Sequence, residues 1–439
     1  MPFRILVALG VEIFASIACL TTPYWGFVFF MFWTILRPQD DRPNIQGLHY
    51  PMVLLISVLL GTVPRMAGAA AFSIARAVQK LGLIFLYFIV MVASAVASGY
   101  TPQSSYRVNE FLTVVLTCLM IIYWGSNATK LWGILGAFFF AGLQISRDAL
   151  TRSHTMIEQI GGQKFDRLTI NRLNGNFGSP NYIALLMSVL ILVCLSFLYT
   201  KYPKWLKVAA AGSTGLFFIS FLKANSRGAS LGLAAGLLVF FIFQKRKAVT
   251  ALILVVVAAG VLMFAPASYF DRLKTIGSYQ QDASATLRLQ LWEIGINLVK
   301  SHPVLGVGPD NFTNYAFNSP HDAYIQAAAE MGIPAMFLYC IILISGLVAS
   351  IRALRLASKL PDAANLRALC VAVTCMIAHI IVQGFTTGFA HREFVYFFIT
   401  FAYCTYLVAS DQAKAAAQSV PDPPTRLVRP PRTGVIATA

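Results

Sequence analysis

The sequence predicts an all-α polytopic integral membrane protein of about 12 transmembrane helices. Three observations carry that reading. The 439 residues are 57% hydrophobic and only 12% charged, with a mean hydropathy of +0.69, whereas a soluble domain holds about 25% charged residues. Residues 177–200 and 248–268 contain no charge at all, and a helix needs about 20 apolar residues to cross a bilayer. The period-2 alternation of a membrane barrel is absent, so the spans are helices.

In chain order the candidate spans are 3–20, 23–36, 50–64, 81–98, 108–124, 131–146, 181–200, 205–222, 229–243, 248–266, 323–350, 366–385 and 394–410. Pro23 interrupts the first two, which read as either two helices or one broken one. The apolar run from Ile5 to Leu20 lacks a clear cleavage site and reads as a retained span. No inverted internal repeat of the transporter kind stands out.

Short basic loops set the orientation. Lys201, Lys204 and Lys207 form one cluster, Lys245, Arg246 and Lys247 the next, and Arg352, Arg355, Lys359 and Arg367 a third. They fall at every second loop and read as cytoplasmic by the positive-inside rule. Residues 147–180, 223–228, 268–322 and 386–393 then face outward. The expected organisation is one membrane domain over 1–412, with a large outer loop at 268–322. A basic, Pro- and Ala-rich tail over 413–439 reads as disordered and cytoplasmic. The net charge of +17 is spread through these topology signals and not gathered on a soluble module, so no nucleic-acid partner is expected. The seven cysteines all lie in apolar runs without metal spacing and read as packing residues.

Within the outer loop, Leu287, Leu291, Ile294 and Leu298 recur at helical spacing. They suggest an amphipathic helix along the membrane surface or the outer face of the protein. Gly306 and Gly308 are followed at once by Pro309, which does not fit a dinucleotide fingerprint.

Four polar sites need explaining, and the topology puts all of them on the outer face: Arg172 in "NRLNGNFGSPNY", Arg227 in "KANSRGAS", Arg288, and the pair His321–Asp322. Taken singly, an arginine near a helix end reads as a snorkelling residue, and a lone histidine as a structural hydrogen-bonder. Together they read differently. Guanidinium groups grip phosphate in a bidentate fork, and an imidazole can take a proton from a sugar hydroxyl near neutral pH. Diphosphate is already a good leaving group, so the arginines would hold a lipid diphosphate while His321 activates an acceptor. Asp322 either N-caps the following helix or orients the imidazole. Asp322, Gln326 and Glu330 form a polar stripe at four-residue spacing, and Glu330 is read as pairing with an arginine to hold the site together.

The succession "NRLNGNFGSPNY", "NSRGAS", "LRLQLWEIGINLVKSHPVLGVGPDNF" and "HDAYIQAAAEMGIPAMFLY" resembles the bacterial O-antigen ligase superfamily over about residues 170–345. That superfamily includes O-antigen polymerases and pilin-modifying oligosaccharyltransferases. "FWTILRPQD" and "FDRLKTIGSYQQDASATLRLQLW" resemble, more narrowly, the O-glycosylation ligases found beside exosortase systems. The resemblance implies a C-type glycosyltransferase-like fold with a large periplasmic loop in the bacterial inner membrane. It implies an undecaprenyl-diphosphate-linked glycan as donor, inverting transfer without metal or other cofactor, and a hydroxyl of lipid A-core, another glycan or a protein as acceptor. By position, Arg227 and Arg288 match diphosphate-binding arginines and His321 the essential histidine; Arg172 matches an arginine of less settled role. Asp322 stands where relatives often carry Asn.

Three alternatives compete: a polymerase using the same chemistry on a lipid-linked acceptor; a transporter of lipid-linked glycans, which should place its polar groups near mid-membrane; and a metal-dependent transferase using Asp40 and Asp41, which otherwise read as part of a solvated loop.

Overall fold

A computed structural model describes residues 3–36, 50–66, 72–151, 158–160, 163–165, 179–265 and 283–418. Its helices are α1 (Phe3–Thr21), α2 (Pro23–Leu36), α3 (Tyr50–Met66), α4 (Phe72–Ala97), α5 (Pro102–Trp124), α6 (Ala128–Thr151), α7 (Pro180–Phe197), α8 (Lys204–Ala224), α9 (Arg227–Phe243), α10 (Lys247–Phe264), α11 (Ala283–Ser301), α12 (Ala323–Met331), α13 (Ile333–Ala357), α14 (Ala364–Gly384) and α15 (Glu393–Gln418). One small departure from an all-helical chain is an antiparallel pair, β1 (Glu158–Ile160) with β2 (Gln163–Phe165), in which Glu158 faces Phe165.

Among the described residues, 8 helices are long and apolar enough to cross a membrane, and five shorter apolar helices accompany them. This is a multi-pass membrane protein. Pro23 resolves the first ambiguity. Lacking an N–H, proline opens a helix more readily than it continues one, and α1 and α2 are separate helices meeting at Thr22. The centre of the bundle is α7, α14 and α15, whose residues are buried on nearly every side. Their sequences are apolar all round, as a helix without a solvent or lipid face requires. α9 packs on α14, α13 on α15, and α8 on α7. The cysteines are free thiols, and all but Cys340 are fully buried.

One expectation needs correction. The span read at 323–350 is not one helix. It breaks at Gly332 (φ 89°, ψ 168°) into α12, of nine residues, and α13, which carries Pro334 in its first turn. α11 forms where the periodicity predicted a helix, and of its two expected placements it takes the one against the protein. Leu291 and Leu298 bury against Val307, Phe312 and Ala329, with Leu287 and Ile294 packed beside them. At the far end, α15 continues to Gln418, past the expected start of the tail; residues 419–439 lie outside the described residues.

The break at Gly332 leaves the C-terminal carbonyls of α12 inside the protein, where each needs a donor. The segment after α11 supplies them. Val307 N–H donates to Ala329 O (3.0 Å) and Gly308 N–H to Glu330 O (2.8 Å), while Ile333 N–H donates back to Pro303 O (2.8 Å). Ser94 Oγ, from α4, lies within hydrogen-bond reach of both Leu305 O (2.6 Å) and Glu330 O (2.9 Å), and its single proton is shared between the two carbonyls. So close an approach requires glycine: Gly306 has φ +64°, and a Cβ there would strike the Glu330 and Met331 backbone.

Gly306→Ala is therefore expected to destabilise the fold by about 1–3 kcal/mol, read as a lower thermal midpoint of the detergent-solubilised protein. A wild-type midpoint would show that this turn does not pin the loop to α12.

Candidate active site

His321 and Asp322 sit together where the segment that follows α11 enters α12. Asp322 takes the N-cap conformation (φ −142°, ψ 122°), and its Oδ1 accepts from Tyr324 N–H (2.9 Å) and Ile325 N–H (2.8 Å). Of the two roles considered for this carboxylate, capping is the one it fills. Burial raises its pKa, and the two backbone donors act in the opposite direction. His321 itself has φ +52°, a left-handed conformation that is strained for a side chain of this size and concentrates at functional sites.

α11 brings Arg288 to the histidine. Trp292, one turn further along, donates its Nε1 to Pro320 O at 2.9 Å, which ties this part of the helix to the residue preceding His321. Burial first, and then the Arg288 cation, lower the His321 pKa from its usual value near 6.5 to about 4. The imidazole is consequently neutral at physiological pH, with a lone pair available to accept a proton.

Arg227 is the first residue of α9 and is half-buried. Ser226 caps that helix by accepting from Ala229 N–H (3.4 Å), and it donates to Asn181 Oδ1 (2.8 Å) at the start of α7. Gln383 Nε2, in the last turn of α14, donates to Asn181 O (3.2 Å). Gly228 lies directly against Thr386. The turn between α14 and α15 then runs to Gly388, whose carbonyl accepts from Tyr182 OH (2.7 Å) and whose α-carbon abuts the Gln326 side chain and the His321 backbone. The residue after Arg227 on one side and the His321 backbone on the other thus lie against the same short turn.

Among the described residues, Glu330 pairs with a histidine where an arginine was expected. Its Oε2 lies 2.6 Å from His391 Nε2 and accepts from Asp310 N–H (3.0 Å), while Oε1 accepts from Gln326 Nε2 (3.4 Å). Both members of the Glu330–His391 pair are almost wholly buried. Beside it, Arg107 pairs with Glu110 and with Asp310 (3.0 Å). Arg392 stacks over the Tyr182 ring at 4.7 Å and lies near Glu110.

Sequence reasoning missed this partly buried polar layer of Arg107, Glu110, Asp310, His391 and Arg392. A signal was present. "HREF" puts positive charge on the face where the topology disfavours it, the same argument that singled out Arg227. Arg172, Asp40 and Asp41 lie outside the described residues. Among the described residues, no group of three His, Cys, Asp or Glu side chains could hold a metal ion.

Residues 212–340 match the family model described as O-antigen ligase. That stretch contains Arg227, Arg288, His321, Asp322 and Glu330. The chain is also 23% identical over 217 residues to "Exopolysaccharide production protein ExoQ" of Rhizobium meliloti (strain 1021). Both findings support the O-antigen ligase/polymerase superfamily. The alignment with ExoQ covers 43% of this chain and 49% of the relative, so the chain spans about half the length of the curated relative it matches.

Leaving one group of a buried hydrogen-bonded pair without its partner costs about 1–3 kcal/mol. Glu330→Ala is expected to lower stability by that order, and Glu330→Gln by less, because the amide oxygen still accepts from Asp310 N–H. Thermal unfolding of both variants checks this; equal midpoints for the two would contradict it.

Proposed function

We propose that this protein is a glycosyltransferase that moves a glycan from undecaprenyl diphosphate to an acceptor hydroxyl. The reaction takes place at the periplasmic face of the bacterial inner membrane, with inversion and without a metal ion. The observation that carries the reading is the neutral, strained His321 held beside the Arg288 cation where the outer loop meets the membrane domain. In this reading residues 268–322 form the large periplasmic loop of a C-type glycosyltransferase-like fold, and residues 413–439 lie in the cytoplasm.

The chemistry needs a base and an anchor for a leaving anion. His321 accepts the proton of the acceptor hydroxyl, and that oxygen attacks the anomeric carbon from the side opposite the diphosphate. The bond from the anomeric carbon to the diphosphate oxygen breaks, and its electron pair leaves with the lipid diphosphate. Arg288 and Arg227, with Arg172 as a third, neutralise the charge that builds on that leaving group. Asp322 acts by fixing the start of α12 and hence the backbone that presents His321. Glu330 supports the same helix two turns deeper.

The acceptor is a hydroxyl of lipid A-core, another glycan or a protein. The similarity to an exopolysaccharide production protein favours a second reading, in which the acceptor is another lipid-linked glycan and the enzyme is a polymerase. Both readings share the donor, the base and the arginines, and differ in what is offered to His321.

The test is transfer in vitro from an undecaprenyl-diphosphate glycan, with EDTA present and the acceptor classes supplied in turn. Wild type should release lipid diphosphate and glycosylate one class. His321→Ala should lose about 10²–10⁴-fold in rate, and Arg288→Lys should be impaired despite keeping its charge, because the bidentate fork is lost. Undiminished turnover in His321→Ala would remove it as the base, and loss of wild-type activity in EDTA would overturn the metal-independent mechanism. Asp322→Asn should keep substantial activity, because asparagine caps a helix as well as aspartate does; complete loss in a folded variant would show that the carboxylate itself is required.

A further inference from the structure

At the opposite end of α7, α9 and α14 the chain builds a second polar site. The 18 residues of α7 put it about 27 Å from the first, roughly the hydrocarbon thickness of a bilayer. A cavity of about 310 Å³ is lined there by Lys201, Gln244, Lys245, Arg246, Asp362 and Arg367, among others. Four of these are cations and one is a carboxylate. Asp362 bonds Lys201 (2.6 Å), and Arg367 Nη2 donates to Phe243 O (2.6 Å) at the end of α9. α14 begins in the same cavity, and its N-cap, Ala363, offers no side-chain acceptor to the helix N-terminus.

The decisive feature is Gln244. It is 2% exposed, it lines the cavity, and neither Nε2 nor Oε1 of its side chain has a hydrogen-bond partner among the described residues. An amide buried with both ends unmatched is costly, and a ligand offering both an acceptor and a hydroxyl would relieve it. Four basic side chains and a helix N-terminus call for that acceptor to be anionic.

We propose that this cavity binds the phosphate headgroup of an acidic membrane phospholipid, with Lys245 and Arg246 on the phosphate and Gln244 bridging phosphate and headgroup hydroxyl. The location selects a lipid over free phosphate. Arg246 also lines an adjoining cavity of about 380 Å³ whose wall includes Leu198, Val249 and Ile253. That apolar wall continues along α10, where Leu252, Val255 and Val256 are exposed, so an acyl chain could descend beside a headgroup held at Arg246. The inference is independent of the glycosyl-transfer reading, since none of these residues belongs to the candidate active site.

The test is native mass spectrometry of the full-length, detergent-purified protein titrated with phosphatidylglycerol, with phosphatidylcholine and with inorganic phosphate. Wild type should retain phosphatidylglycerol in preference to phosphatidylcholine. Lys245→Gln/Arg246→Gln should weaken retention by about 30-fold, and Gln244→Leu, which leaves every charge in place, should weaken it by about fivefold. Arg352→Gln/Arg355→Gln removes the same charge from the same face outside the cavity and should bind as wild type does. The proposal is overturned if that control loses as much affinity as the cavity variant, if the cavity variant binds normally, or if phosphatidylcholine binds equally well. Displacement of the lipid by millimolar inorganic phosphate would reassign the site to a free anion and overturn the lipid as its ligand.

Discussion

A nine-residue helix that ends inside a membrane protein is the constraint on which the rest of the site depends. The carbonyls at the C-terminus of α12 have no lipid-side solution, because hydrocarbon offers no donors. The chain satisfies them with Val307, Gly308 and Ser94. That requirement holds the segment 303–308, and with it the end of α11, against α12, burying Val307 and Gly308. Once α11 is docked through Leu291 and Leu298, Arg288 has one place to go, beside His321. The catalytic proposal thus rests on a backbone hydrogen-bonding problem solved two turns below the histidine.

The same helix explains why a glutamate is tolerated there. Glu330 lies in the last turn of α12, where its side chain reaches His391 and the Asp310 N–H. Those contacts tie the segment after α11, α12 and the residues just before α15 into one unit. Asp322 does the corresponding work at the other end by capping the first turn. The polar stripe of Asp322, Gln326 and Glu330 therefore reads as the framework that presents His321, and the turn at 386–392 joins that framework to the start of α9 at Gly228.

Much of the helical architecture was legible in the sequence because long uncharged runs have a single solution in a bilayer. The break at Gly332 was not, because "AYIQAAAEMGIPAMFLY" is apolar enough on both sides to pass for one span; only the Gly and Pro spacing betrays it. The partner of Glu330 could not be read locally, since His391 lies 61 residues away and an arginine was the more obvious counter-charge. Arg107 was hidden because it sits at the start of an otherwise ordinary span, and its partner Asp310 comes from the outer loop. His321 and Asp322 were visible because a histidine and a carboxylate at the mouth of an apolar run are unusual in themselves.

The central claim is that a neutral His321, kept neutral by burial and by the Arg288 cation, is the base that meets the acceptor. Its most direct test is the pH dependence of kcat/KM for wild type and Arg288→Gln. A base is competent above its pKa, so the wild-type rate should fall only as pH approaches about 4. Removing the cation lifts one of the two effects that depress the pKa, and the acid limb should move upward, toward the ordinary histidine value of about 6.5. An acid limb that stays where it is in the wild type, or moves downward, would contradict the account.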